Sequence, residues 1–185
     1  LKNHLLAAFN RLDINDKLKR NMDVVHELDL GIVINGVSIK WYKERETVRQ
    51  TLALPFKESD FVYDSSEFDF DMPSFTQRRD IYGDPGNGEY YFFLNYNENS
   101  QLIEFEAHHL TTFQFRSKVF RFGHPMQQVM DAFHLFSNKL GVEYPYFQYI
   151  ELKMSIAPRE GMGGDEGDDG LAYVYATANS DHFAK

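Results

Sequence analysis

A chain of 185 residues, 43% hydrophobic and 16% aromatic, has enough apolar surface for one packed domain and too much for a disordered one. Its formal net charge of −9 disfavours nucleic acid, whose phosphates need a basic face, and suits a basic protein partner. With no cysteine it can have no disulfides, thiolate metal sites or cysteine nucleophiles, which fits a cytoplasmic protein.

The first segment, residues 1–22, places Leu5, Leu6, Phe9 and Leu12 on one helical face, so a packing helix or clip is expected there. It lacks the long apolar core of a signal peptide, and no apolar run in the chain approaches the ~20 residues of a membrane span. Next comes "LGIVINGVSIKWY". Asn35-Gly36 between two apolar runs predicts a type I′ hairpin of Gly31–Ile34 with Val37–Trp41. "KERETVRQTL" then reads as a short amphipathic helix with Val48, Thr51 and Leu52 on its packed face, closed by Pro55.

Residues 56–75 mix aromatic and acidic residues with no dominant period. "DPGNG", Asp84 to Gly88, is turn chemistry. The following stretch predicts the clearest hairpin, Tyr90–Tyr96 with Gln101–Ala107. Leu102, Glu104 and Glu106 are expected on one face and Ile103, Phe105 and Ala107 on the other. "VFRFGHPMQQVMDAF" runs from strand through a glycine turn into a helix, with Pro125 at the first helical position and Val129, Ala132, Phe133 and Phe136 buried. That helix is expected to end near Lys139 with Gly141 as its cap. Two more strands, "YFQYIELKMSIAP" and "LAYVYATA", flank a Gly/Asp-rich loop expected to be mobile and solvated.

"VSIKWYKERETVRQTL" aligns without gaps on "KVFRFGHPMQQVMDAF", with Val48 on Val129 and Leu52 on Phe133. The expected architecture is therefore α+β: antiparallel sheets packed with short helices. It would be a single compact domain, 1–185, made of two pseudo-repeated helix–sheet units of about 29–109 and 110–185. "FGHPMQQV" resembles the F-G-M-[ST]-x-x-[EQ]-V helix start of beta-lactamase inhibitor protein-like and outer-membrane assembly lipoprotein-like repeats, with Pro125 in place of Ser or Thr. "WYKERETV" keeps the valine and lacks the glycine. The layout also resembles acidic immunity proteins of bacterial polymorphic-toxin systems. These resemblances imply a non-enzymatic, protein-binding role.

Chemistry-bearing residues are few. His108-His109 sit at a strand end, where neighbours face opposite sides and do not easily share a metal. His124 would shape its turn and His134 would lie on a helix surface. Glu104 and Glu106 pair on one strand face but do not oppose each other across a substrate as glycosidase carboxyls do. "GDEGDDG" lacks the EF-hand spacing, and "GMGGDEG" lacks a phosphate-binding lysine. No catalytic, cofactor or metal residues are assigned.

The expected partner-binding residues are Glu67, Phe68, Asp69, Phe70 and Asp71 in "DSSEFDFDMPSF": aromatics to anchor, carboxylates to steer a basic protein partner. The functional expectation is a cytoplasmic bacterial immunity protein that neutralises a cognate toxin by occlusion, binding neither nucleic acid nor membrane. The alternative is a small-molecule or peptide-binding domain with an aromatic-lined sheet cavity. A hydrolase with a carboxylate–His site is a third reading.

Overall fold

The computed structural model describes residues 22–63, 75–84, 89–109, 111–137, 140–143, 145–179 and 183. The N-terminal helix expected over 1–22, apart from Met22, and the turn expected at Asp84–Gly88, apart from Asp84, lie outside these residues. Within them the fold is α+β, as expected, with antiparallel pairing dominant.

A smaller sheet has five strands in the order β10-β9-β1-β2-β3. β1 (Asp23–Glu27) sits in the middle, between the hairpin of β2 (Gly31–Ile34) with β3 (Val37–Lys40) and the hairpin of β9 (Thr112–Phe115) with β10 (Lys118–Arg121). β1 runs antiparallel to β2 and parallel to β9. The first hairpin turns at Asn35-Gly36, with φ of 49° and 82°, as the type I′ reading requires. The second turns at Arg116-Ser117 with Arg116 at φ 53°.

Each hairpin leads into a helix, α1 (Arg45–Leu52) or α2 (Met126–His134). The chain approaches both helices with the same backbone pattern. Tyr42 and Gly123 both take positive φ, 60° and 89°. Glu44 and Pro125, the residues before the helices, share an extended conformation. Tyr42 donates its N–H to Leu102 O, and Leu102 returns its own N–H to Lys43 O; Gly123, Leu171 and His124 repeat this pair of bonds. Pro125 thus stands one residue before the helix rather than as its first member. α2 is also shorter than expected, and Gly141 lies in a strand opposite Gln148 rather than at a helix cap.

The larger sheet runs β11-β12-β13-β14-β8-β7-β6-β4, with β5 also on β6. Its strands are β4 (Phe56–Glu58), β5 (Phe61–Tyr63), β6 (Phe75–Asp84), β7 (Glu89–Tyr96), β8 (Leu102–Ala107), β11 (Leu140–Glu143), β12 (Tyr146–Tyr149), β13 (Met154–Pro158) and β14 (Leu171–Thr177). The single long strand expected over 146–158 is divided in two by a 3₁₀ turn at Ile150–Leu152 and by Lys153 at φ 51°. A register shift between Asn95 and Tyr96 turns Leu102 into the core, away from the acidic face assigned to it.

One core joins the inner faces of both sheets and both helices. Phe133 on α2 is fully buried, its ring 5.8 Å from Phe115, 5.1 Å from Phe120 and 5.0 Å from Tyr149. It therefore ties the smaller sheet to the larger. Val48 and Val129 are both fully buried on their helices. On α1, Thr51 is exposed and Arg45 is buried, the reverse of a purely apolar packed face.

Candidate functional site

β4 and β5 lie along the same edge of β6 in one continuous register: Phe56, Lys57 and Glu58 face Tyr82, Ile81 and Asp80, and Phe61, Val62 and Tyr63 face Gln77, Thr76 and Phe75. Between them the ladder is interrupted. Ser59 N–H still donates to Arg79 O at 2.9 Å, but the Arg79 N–H is taken by the Asp60 carboxylate at 3.1 Å.

The Asp60 side chain belongs to a charge network beneath this edge. Asp80, fully buried on β6, accepts from Arg45 Nη2 at 2.7 Å, from Arg49 Nη2 at 2.7 Å and from the Tyr96 hydroxyl at 3.1 Å. Arg45 forks onto Asp60 at 2.8 and 2.9 Å, and Arg49 reaches Glu58 at 2.6 Å. The two arginines stand one turn apart on α1, on the flank that carries Val48 and Leu52. Burial alone would raise the Asp80 carboxyl. The hydrogen bonds from Arg49 and Arg45 outweigh it and hold the group below the usual carboxylate range. Arg49 also lies over the Phe56 ring, 4.3 Å from its centre, and Arg45 over Tyr96 at 5.0 Å.

On this fixed base stands a group of exposed apolar side chains. Phe61 is 53% exposed, Val62 64% and Phe75 44%. Tyr63 joins them, its ring 4.7 Å from Phe61 and stacked on Phe75 at 4.5 Å. Exposed apolar side chains gathered on one edge mark an interaction surface more often than scattered ones do. The chain between Tyr63 and Phe75 is the segment that carries Glu67, Phe68, Asp69, Phe70 and Asp71. Those five residues lie outside the described ones. Pairing of Tyr63 with Phe75 nevertheless brings both ends of the segment to the exposed rings.

A second polar group occupies the outer face of the larger sheet. Asn95 Nδ2 donates to Glu104 at 3.0 Å and to Glu106 at 2.6 Å, and Arg79 Nη2 reaches Glu106 at 2.7 Å. Glu104 and Glu106 therefore share one face, as expected of alternate strand residues. Burial would raise the Glu106 carboxyl, but His108 at 3.7 Å, Arg79 and Asn95 lower it. His108 packs against Phe93 at 4.5 Å and Tyr173 at 5.4 Å, and Phe183 meets Tyr175 edge-on at 5.9 Å. His109 is tied by its backbone to Tyr91 O. Comparison with known proteins gives no match: no family model, curated protein or solved structure matches this chain.

The remaining candidates resolve individually. His124 Nδ1 accepts the Arg121 N–H at 3.4 Å, so it shapes its turn, and His134 is exposed on α2. The Gly/Asp-rich loop is internally bonded rather than loose. Glu160 caps the Gly167 N–H at 3.1 Å, Arg159 pairs with Asp168 at 3.3 Å, and Glu160 to Met162 form a 3₁₀ turn. Among the described residues no three His, Asp or Glu are gathered to hold a metal, and no helix is long and apolar enough to cross a membrane. The Arg45–Asp80 network is absent from the sequence-based expectations. Its signal was an arginine pair four residues apart on the packed flank of a short helix.

Proposed function

We propose that this chain is a non-enzymatic protein-binding inhibitor, and that its most specific form is a bacterial immunity protein occluding a basic toxin. The observation that carries the reading is the group of exposed Phe61, Val62 and Phe75 with half-buried Tyr63 at both ends of an acidic-aromatic segment. Rings of this kind anchor an interface, and the four carboxylates within 64–74, with no lysine or arginine among them, steer a cationic partner. The Arg45–Asp80–Arg49 network supports the edge from below and supplies rigidity rather than contact. In the same proposal the two hairpin–helix units, about 29–109 and 110–185, descend from one duplicated unit. Their equivalent backbone bonds at Leu102 and Leu171 support that descent.

The test is to co-express the protein with the product of the adjacent gene and to measure association and dissociation rates. Phe61→Ala and Phe75→Ala should mainly speed dissociation, ~10-fold or more for a hot-spot ring. Neutralising Asp69 and Asp71 together should slow association and flatten its salt dependence. Parental rates in all of these variants would remove this edge from the interface.

A ligand-binding reading rests on a different observation, the Phe93, His108, Tyr173 and Tyr175 rings around the Arg79–Glu106 pair. Saturable small-molecule binding lost in Phe93→Ala, with no protein partner found, would favour it.

A further inference from the structure

The β4–β5 edge has a hydrogen-bonding polarity that can be read from its register. Ser59 opposite Arg79 donates to Arg79 O, so it is a hydrogen-bonded position of the ladder. Such positions alternate in an antiparallel pair, so Lys57, Phe61 and Tyr63 also turn their backbone groups toward β6. The backbone N–H and C=O of Glu58 and Val62 then point away from the sheet. Among the described residues no strand pairs with that side.

Side chains along the edge divide by the same alternation. Glu58 and Asp60 turn toward the arginines of α1, and Val62 shares their face. Phe61 and Tyr63 turn to the opposite face with Phe75. An edge that no strand among the described residues pairs, with exposed aromatic residues, is a template for another strand, and natural edges are usually protected by charge, proline or a covering element.

We infer that the partner docks by adding an extended strand alongside β4–β5, with a basic side chain toward the exposed Glu58 carboxylate and apolar side chains toward Phe61 and Tyr63. The inference rests on the protein-binding reading and specifies how that binding is made. Main-chain bonds to Glu58 and Val62 supply the affinity, and the alternating faces supply the selectivity. A second copy of this chain fits poorly, because it brings another net charge of −9 and the same acidic segment to the same place.

The probe is an acetylated, amidated peptide of alternating lysine and valine, about seven residues long to match one added strand, titrated into ¹⁵N-labelled protein at low salt. The Glu58 and Val62 amides should shift and gain exchange protection, while the Phe61 amide, already bonded to β6, stays as it is. Val62→Pro should weaken the peptide at least ~10-fold, because proline deletes an outward donor that the edge's own ladder does not use. Glu58→Lys, on an exposed side chain, should weaken the lysine peptide similarly. It serves as the second variant should the proline disturb the fold. An otherwise identical glutamate–valine peptide should not bind.

Binding that leaves the Glu58 and Val62 amides unchanged would overturn the inference. So would parental affinity in both variants. Sedimentation showing a dimer that Val62→Pro dissolves would replace the partner strand with a second copy. With the adjacent gene's product, sensitivity to Phe61→Ala without sensitivity to Val62→Pro or Glu58→Lys would sink strand addition alone. Failure to bind that product or any peptide would sink the protein-binding reading itself.

Discussion

His26 offers a quantitative test of how the two sheets are joined. It stands on β1 with 2% of its surface exposed, stacked on Phe115 at 5.4 Å and edge-on to Trp41 at 6.3 Å. Its Nε2 donates to Leu152 O at 3.1 Å across the core, while Nδ1 has no hydrogen-bond partner among the described residues. The neutral ring fits this site. A protonated ring would bury a second N–H with no acceptor. Burial lowers its pKa from 6.5 to about 4, against the smaller raising effects of the Leu152 bond and of Asp29; Lys153 adds slightly to the lowering.

For a base with a depressed folded pKa, stability is unaffected above the unfolded value and falls as the unfolded chain takes up the proton first. The loss therefore develops between about pH 6.5 and pH 4 and totals about 3 kcal/mol at the lower end. Urea denaturation of the parent and of His26→Phe at pH 7.5, 6.0, 5.0 and 4.5 measures it. Phenylalanine keeps a ring against Phe115 and cannot take up a proton. The parent should lose about 2 kcal/mol more than the variant between pH 7.5 and 5.0. Parallel pH dependence in the two proteins, or a His26 titration near 6.5 by NMR, would refute the argument.

Phe133→Ala should cost about 3–5 kcal/mol in denaturant unfolding, because the ring is fully buried between both sheets and leaves a cavity. Asp80→Ala should cost about 3–5 kcal/mol by removing the buried carboxylate that both arginines share, leaving them only Asp60 and Glu58 nearer the surface. Replacing Arg45, Arg49 and Asp80 together with Met, Met and Leu should recover most of that loss, since well-packed apolar groups of similar volume often replace a buried ion network without loss. Thermal denaturation of the single and triple variants separates the two outcomes.

Much of the fold was legible because its signals are local. Asn35-Gly36 between two apolar runs favours the positive φ of a type I′ turn, and "FGHP" joins a permissive glycine to a proline suited to a helix entrance. Phe133 and Val129 followed from helical spacing. The edge strands did not, because β4 is exposed at all three positions and has no alternation to read. β1 was missed because a histidine occupies one of its core positions. The face of Leu102 was misassigned because a register shift is a property of the strand pair and leaves no mark in either strand alone. At the candidate site, the acidic-aromatic segment was visible as composition. The charge network was not, since Arg45 and Asp80 are 35 residues apart and meet only after α1 docks on β6.

The central place of β1 has a consequence for the order of assembly. Its first partner, β2, follows within a few residues, but its second, β9, lies far along the chain: Thr111 and Thr112 bond Met22 and Asp23 across 89 residues. During synthesis the smaller sheet can close only on one side until the second hairpin has emerged. Such distant, parallel pairing makes loop closure the slow step of folding. The first half should therefore emerge from the ribosome as a dependent fragment with an open sheet edge, and both halves should lose structure in one cooperative transition.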